Sequence, residues 1–201
     1  MKTYPSIPKD FTEVEAYIFD KIDGSNLRFE WTKKSGWNKF GTRRRLFDET
    51  DVDFGIAKEL FLEHYTPDLD RVIKKRQWQK VTLFMEFAGE NSLGGLHENE
   101  PKTLTLIDVN PFKKGILPPK EFVKLFNHLE FSAPFLGIHK WNKKLLSDVR
   151  NNNFNGVSFE GVVGKALIKN RIVMRKAKTQ EWLDTITDRY DKETAKKIIN
   201  S

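Results

Sequence analysis

The chain reads as an α+β protein in which mainly antiparallel strands, interspersed with helices, line a cleft. Three observations predict this class. Short stretches of alternating apolar and polar residues recur along the whole sequence, stripes of helical spacing fall between them, and the chemically versatile residues sit on or beside the alternating stretches. Those residues are Lys21, Glu86, Asp108, Glu160 and Lys176.

Residues 14 to 20 and 25 to 31 are rich in aromatic and aliphatic side chains on either side of Asp23-Gly24-Ser25-Asn26, which predicts two strands joined close to Lys21. Lys33 to Gly36 is a second turn signal, and Trp37 to Phe40 begins a third strand. From Asp51, the expected N-cap, Val52, Ile56 and Leu60 recur every four residues, with Ala57 and Phe61 widening the stripe; this predicts a helix to about Tyr65. Alternation returns in 80 to 88 and in 103 to 109, with Gly89 to Gly95 and Pro101 forming a loop between them. Pro118-Pro119 opens a helix through about His128. Asn151 to Gly156 is turn chemistry, and two strands follow over 157 to 164 and 171 to 176. Thr179 then caps a helix with Trp182, Leu183, Ile186 and Tyr190 on one face. No repeat, low-complexity tract or interdomain linker interrupts this order, so residues 1–201 are expected to form a single domain.

Composition narrows the function classes. Sixteen Phe and five Trp supply a core in large pieces. A chain of this length buries about two-thirds of its unfolded surface. The net charge of +7, from 35 Lys and Arg against 28 acids, attracts polyanions at low salt, and nucleic acid is the natural candidate. Cysteine is absent, which excludes disulfides, thiolate zinc sites and cysteine nucleophiles. No apolar run approaches membrane length, and Met1-Lys2-Thr3-Tyr4-Pro5 lacks the apolar core of a secretion signal, so the expected address is the cytoplasm.

Lys21 stands two residues before Asp23-Gly24. A lysine amine attacks phosphorus when neighbouring cations hold it unprotonated, and a glycine lets backbone and phosphate approach closely. A lone lysine in a turn is ordinarily a solvated residue, so the rest of the chain must carry the reading. Lys176 and Lys178 lie two apart, which on a strand turns both to one face, where they can meet a triphosphate. Glu160 sits among apolar neighbours, where a carboxylate needs a partner such as a divalent cation. Residues 161 to 166 share part of the P-loop spacing, but Phe159 replaces the first glycine and Ala166 lacks the metal-binding hydroxyl. His64, His97, His128 and His139 are scattered without metal-ligand spacing and read as surface or core residues.

Taken in order, Phe19 to Asn26, Thr42 to Arg45, Leu83 to Gly89, Leu104 to Val109, Phe159 to Lys165 and Val173 to Lys178 resemble the motifs of the ATP-dependent ligase and capping-enzyme superfamily. Within it they are most similar to those of phage-type RNA ligases, over about residues 15 to 183. The resemblance implies an adenylyltransferase (ATP-grasp-like ligase) fold, with two twisted, mainly antiparallel sheets flanked by helices. It also implies ATP and Mg2+, with Mn2+ as a substitute, and RNA or DNA strand ends as partners.

The resemblance carries roles for particular residues. Lys21 is the nucleophile that takes AMP, Lys176 and Lys178 contact the α-phosphate and support chemistry, and Glu160 helps coordinate the metal. Arg43, with Arg44 as its rival in a run that ends at Arg45, holds phosphates or ribose. Glu86 lies near the ribose and Asp108 in the nucleotide pocket; Asp20 contacts the base, and Asn26 is needed after adenylation. Ile107 stands where an aromatic commonly stacks on the base, and Met85 where glycine often precedes the glutamate, which weakens any inference about nucleotide choice. The implied reaction is ATP-dependent RNA ligation of 5′-phosphate and 3′-hydroxyl ends. The alternatives are a minimal DNA or mixed ligase, a capping-type guanylyltransferase and a noncatalytic nucleic-acid-binding protein. The chain ends about twenty residues after the lysine pair, so no OB-fold domain is expected. Lys74 to Arg76, Lys113-Lys114 and Lys143-Lys144 are candidates for gripping the polymer, and no membrane or protein partner is evident.

Overall fold

The computed structural model describes residues 1–7, 13–90 and 97–200, so most of the loop expected over 89–95 lies outside the described residues. Strand β1 (Val14–Lys21) ends on Lys21 and β2 begins at Ser25 (Ser25–Thr32), close to the expected bounds. The two do not pair. They belong to different sheets and to different compact units, one made of Met1–Tyr4 and Asp23–Ala133, the other of Pro5–Ile22 and Pro134–Ser201. Gly24 explains why the turn signal misleads. It does not adopt a positive φ; a Cβ on it would stand 2.4 Å from the Phe87 carbonyl oxygen, so the glycine serves a close backbone approach instead of a hairpin turn.

The first unit contains an antiparallel sheet in the order β4-β3-β2-β5-β6, with β3 at Gly36–Thr42, β4 at Leu46–Phe47, β5 at Lys80–Ala88 and β6 at Thr103–Pro111. Leu27, Phe29, Leu83, Met85 and Leu106 are wholly buried on one of its faces. Phe61 packs there, stacked on Phe29 with ring centroids 4.0 Å apart.

The helical segment behind Phe61 departs from expectation. Helix α1 (Gly55–Leu60) starts four residues after Asp51, whose carboxylate instead accepts the Asp53 and Phe54 N–H groups in the preceding turn. Val52 is therefore off the helix and fully exposed, while Ile56 is 40% exposed. The helix continues through a π-helical turn (Phe61–Tyr65) into α2 (Thr66–Lys75), and its buried stripe is Ala57, Phe61, Leu69 and Ile73. Four-residue steps drift around an ideal α-helix, and the wide turn absorbs part of that drift. Helix α3 (Pro119–Phe126) starts at the expected proline and buries Phe122 and Phe126.

The second unit holds a four-stranded antiparallel sheet, β7-β1-β8-β9, with β7 at Phe135–Trp141, β8 at Gly161–Ile168 and β9 at Arg171–Lys178. Strand β7 and helices α4 (Lys143–Arg150) and α6 (Lys192–Asn200) have no counterpart in the sequence reading. Residues 157 to 160, expected as strand, precede β8; Val157 and Phe154 pack on the core from that irregular stretch. One face of the sheet carries Ala16, Ile18, Val162, Ala166 and Ala177 against Trp141 and the α4 residues Leu145 and Val149. Helix α5 (Gln180–Arg189) begins where predicted: the Thr179 hydroxyl accepts the Trp182 N–H at 3.1 Å.

Candidate active site

The face of the second unit's sheet turned away from that core is lined with lysines. The register aligns Lys21 with Gly161 and Lys178, Phe19 with Val163 and Lys176, and Tyr17 with Lys165 and Met174. Period-two alternation therefore places Lys21, Lys165, Lys176 and Lys178 on one face. Gly161 allows the row to close. Its φ is +146°, and a Cβ there would meet the Ala177 carbonyl oxygen at 2.0 Å.

Glu160, immediately before β8 and 4% exposed, accepts from both ends of the first row. Lys21 Nζ lies 2.7 Å from its Oε2 and Lys178 Nζ 2.9 Å from its Oε1. The carboxylate thus bridges two ammonium groups with little water to screen them, which makes each contact stronger than a surface pair. Lys178 also lies over the Trp182 ring, its Nζ 3.7 Å from the centroid, and Lys165 Nζ lies 4.7 Å from that of Phe19. Lys176 and Lys165 are 8% and 3% exposed, so the cations are packed against the sheet and are not solvated tails. Sequence reasoning overlooked Lys165, although its even spacing from Gly161 and Val163 on the strand was legible.

Asp20 points to the opposite face from Lys21. Its carboxylate accepts the Ser158 N–H at 3.0 Å, and burial raises its pKa despite that hydrogen bond.

The other sequence-predicted residues belong to the first unit. Asn26, Glu86 and Thr105 stand opposite one another, as do Arg28, Phe84 and Asp108, so Asn26, Glu86 and Asp108 share one face of that sheet. Ile107 falls at the register shift of β6, between the pairings of Leu106 with Met85 and of Asp108 with Phe84. Both amide atoms of the Asn26 side chain are buried and lack a hydrogen-bond partner among the described residues. Tyr4 reaches Asp108 Oδ2 at 2.5 Å; burial first, and then the Asp108 charge, raises the Tyr4 pKa well above its ordinary value. Arg43 follows β3 and is exposed, yet its charge is felt at Tyr4, whereas Arg45 is held by Asp51 and Asp53.

His97 takes the second of the two settings expected for it, surface or core. It is buried, with Nε2 3.1 Å from Asp23 Oδ2 and Nδ1 3.0 Å from Glu100 Oε2. Among the described residues, no three His, Asp or Glu side chains gather as a metal cage. None of the described helices is long and apolar enough to cross a membrane.

No protein-family model and no curated protein matches the chain. Solved structures match its fold. A Naegleria gruberi RNA ligase variant with AMP and Mn has a TM-score of 0.64 at 20% identity, over 87% of this chain and 52% of that one. A second variant, with ATP and Mn, gives 0.63 at 19% identity over 92% and 60%; the same ligase with PPi gives 0.63 at 20% over 87% and 52%. The chain therefore spans only 52% to 60% of the length of these structures. At this identity the shared property is architectural: the chain has the α+β fold of these RNA ligase structures, two antiparallel sheets with flanking helices.

Proposed function

We propose that the chain is an ATP-dependent RNA ligase that seals 5′-phosphate and 3′-hydroxyl ends through a lysyl-AMP intermediate on Lys21. The observation that carries this reading is the Glu160 carboxylate bridged by Lys21 and Lys178 on a face that also bears Lys176 and Lys165. Four cations on one buried face suit a triphosphate far better than they suit a core.

Lys21 attacks only as the free amine, so its ion pair with Glu160 opens before the step. The Nζ lone pair then bonds the α-phosphorus, the bond to the β-phosphate oxygen breaks, pyrophosphate leaves, and the amine's surplus proton passes to solvent. Lys176 and Lys178 hold the phosphate charge throughout. In the second step a 5′-phosphate oxygen attacks the same phosphorus and displaces Lys21, which regains a proton. In the third, a 3′-hydroxyl attacks the activated 5′-phosphorus and loses its proton to solvent as the phosphodiester forms, and AMP departs with the electrons of the phosphorus–oxygen bond that breaks.

In the first unit, Arg43 and Glu86 serve phosphate and ribose, and Asp108 and Ile107 belong to the nucleotide pocket. Asn26, with a buried donor and a buried acceptor to satisfy, is suited to the adenylated state. Glu160 would hold a divalent cation once Lys21 releases it. One carboxylate fits Mg2+, which keeps several waters and takes substrate phosphates as further ligands, and Mn2+ substitutes. Bound there, the cation supplies positive charge beside the reacting phosphate. The cytoplasm, which supplies ATP, is the address proposed for such an enzyme.

The reading is tested by incubating the protein with α-labelled ATP and Mg2+. A label that survives denaturation and is absent from Lys21→Ala supports it; tight RNA binding with no label would point to a noncatalytic binder. Nicked duplexes with RNA or DNA on each side of the nick then identify the polymer. Sealing confined to DNA would overturn the RNA assignment.

A further inference from the structure

We propose that Trp182 is a positioning residue for Lys178, an inference that rests on the function proposed above. Its indole face holds the Lys178 ammonium toward Glu160 and thereby sets the rate at which nucleotide is transferred to Lys21. The Lys178 Nζ lies 3.7 Å from the Trp182 ring centroid on one side and 2.9 Å from Glu160 Oε1 on the other. Trp182 is 1% exposed, so the contact is made out of water, where the attraction of a cation to an aromatic face is strongest.

The ring is also fixed in place. Thr179 Oγ1 accepts the Trp182 backbone N–H at 3.1 Å and donates to the Phe159 carbonyl at 2.7 Å, while the Thr179 backbone N–H donates to the Glu160 carbonyl at 3.0 Å. One turn of α5 therefore holds both the backbone of Glu160 and the ring beneath Lys178. A second observation separates this role from simple packing. The Trp182 indole N–H is buried and has no acceptor among the described residues. Phenylalanine or leucine would fill the core without stranding a donor. What tryptophan adds over them is the strongest negative ring face of the natural side chains, and that face carries the ammonium.

The experiment replaces Trp182 site-specifically with mono-, di- and tetrafluorotryptophan, which drain the negative face while preserving the shape of the ring. Label transfer from α-labelled ATP to Lys21 is followed in a single turnover. The rate is expected to fall stepwise, reaching about 5- to 30-fold at tetrafluorotryptophan, with an unchanged melting temperature. Trp182→Phe should fall within that range. A flat rate across the series, with the unmodified chain active, overturns the proposal. If the unmodified chain forms no adduct, the ligase reading fails, and an activity-independent measurement decides the contact. The Lys178 methylene protons next to Nζ should be shifted upfield by the indole ring current in NMR spectra, and that shift should vanish in Trp182→Leu. Unshifted protons in the unmodified chain overturn the contact itself.

Discussion

Glu160→Gln removes one negative charge from between two ammonium groups and changes almost nothing in shape. In the native chain the carboxylate is 5% exposed at the side chain, and its partners Lys178 and Lys21 are 6% and 21% exposed. Breaking a buried ion pair so that its partner stays uncompensated costs about 3–5 kcal/mol. The partial exposure of Lys21 lets water recover some of this, so the lower end, about 3 kcal/mol, is the expected loss. For a chain of this size that lowers Tm by roughly 6–12 °C. The same four-lysine face should then gain more from a polyanion, so millimolar tripolyphosphate should raise the Tm of Glu160→Gln by more than it raises that of the wild type. Thermal unfolding followed by circular dichroism reads both quantities. A Tm for Glu160→Gln that corresponds to less than about 0.5 kcal/mol of change would refute the claim that this carboxylate holds the lysine face together.

Four further substitutions probe separate parts of the molecule. Burial raises the Asp20 pKa, so its ionised form destabilises the folded chain at neutral pH. Asp20→Asn should raise Tm at pH 7, and the gain should fade on acidification, vanishing below about pH 4 where the unfolded carboxyl is itself protonated; a gain independent of pH would contradict this. Tyr4→Phe removes a 2.5 Å hydrogen bond to the fully buried Asp108. It should cost about 1.5–3 kcal/mol in denaturant unfolding, and a silent substitution would show that the Tyr4 contact contributes nothing. Phe61→Ala should cost about 3–5 kcal/mol, whereas Val52→Lys should change stability by less than about 0.5 kcal/mol. A large effect at Val52 would restore the helix register expected from the sequence.

The parts of the molecule that were legible are those where local chemistry and backbone period agree. Lys176 and Lys178 were placed on one face by spacing alone, and Thr179 was identified as a cap by its hydroxyl ahead of an apolar stripe. The failures have a common origin in tertiary partners. Asp23-Gly24 spells a hairpin, but β1 finds its partners in β7 and β8, and Gly24 is small because Phe87 lies against it. The four-residue repeat from Val52 was real in the sequence, yet the core selected Ala57 and Phe61. Strand β7 alternates poorly: Ile138, His139 and Lys140 are all exposed, so pairing with β1 defines it more than burial does. Within the candidate site, the Glu160 bridge joins residues 139 positions apart, and the His97 contact with Asp23 spans 74. No local signal encodes either.

In the proposed reaction Lys21 Nζ becomes covalently bonded to the phosphorus of AMP. After incubation with ATP and Mg2+, proteolysis under conditions that preserve phosphoramidates and mass spectrometry should find the mass of one AMP residue on the peptide containing Lys21. The Lys21→Ala chain should carry none. Nucleotide attached to Lys165, Lys176 or Lys178 instead, or no adduct on a folded chain, would contradict it.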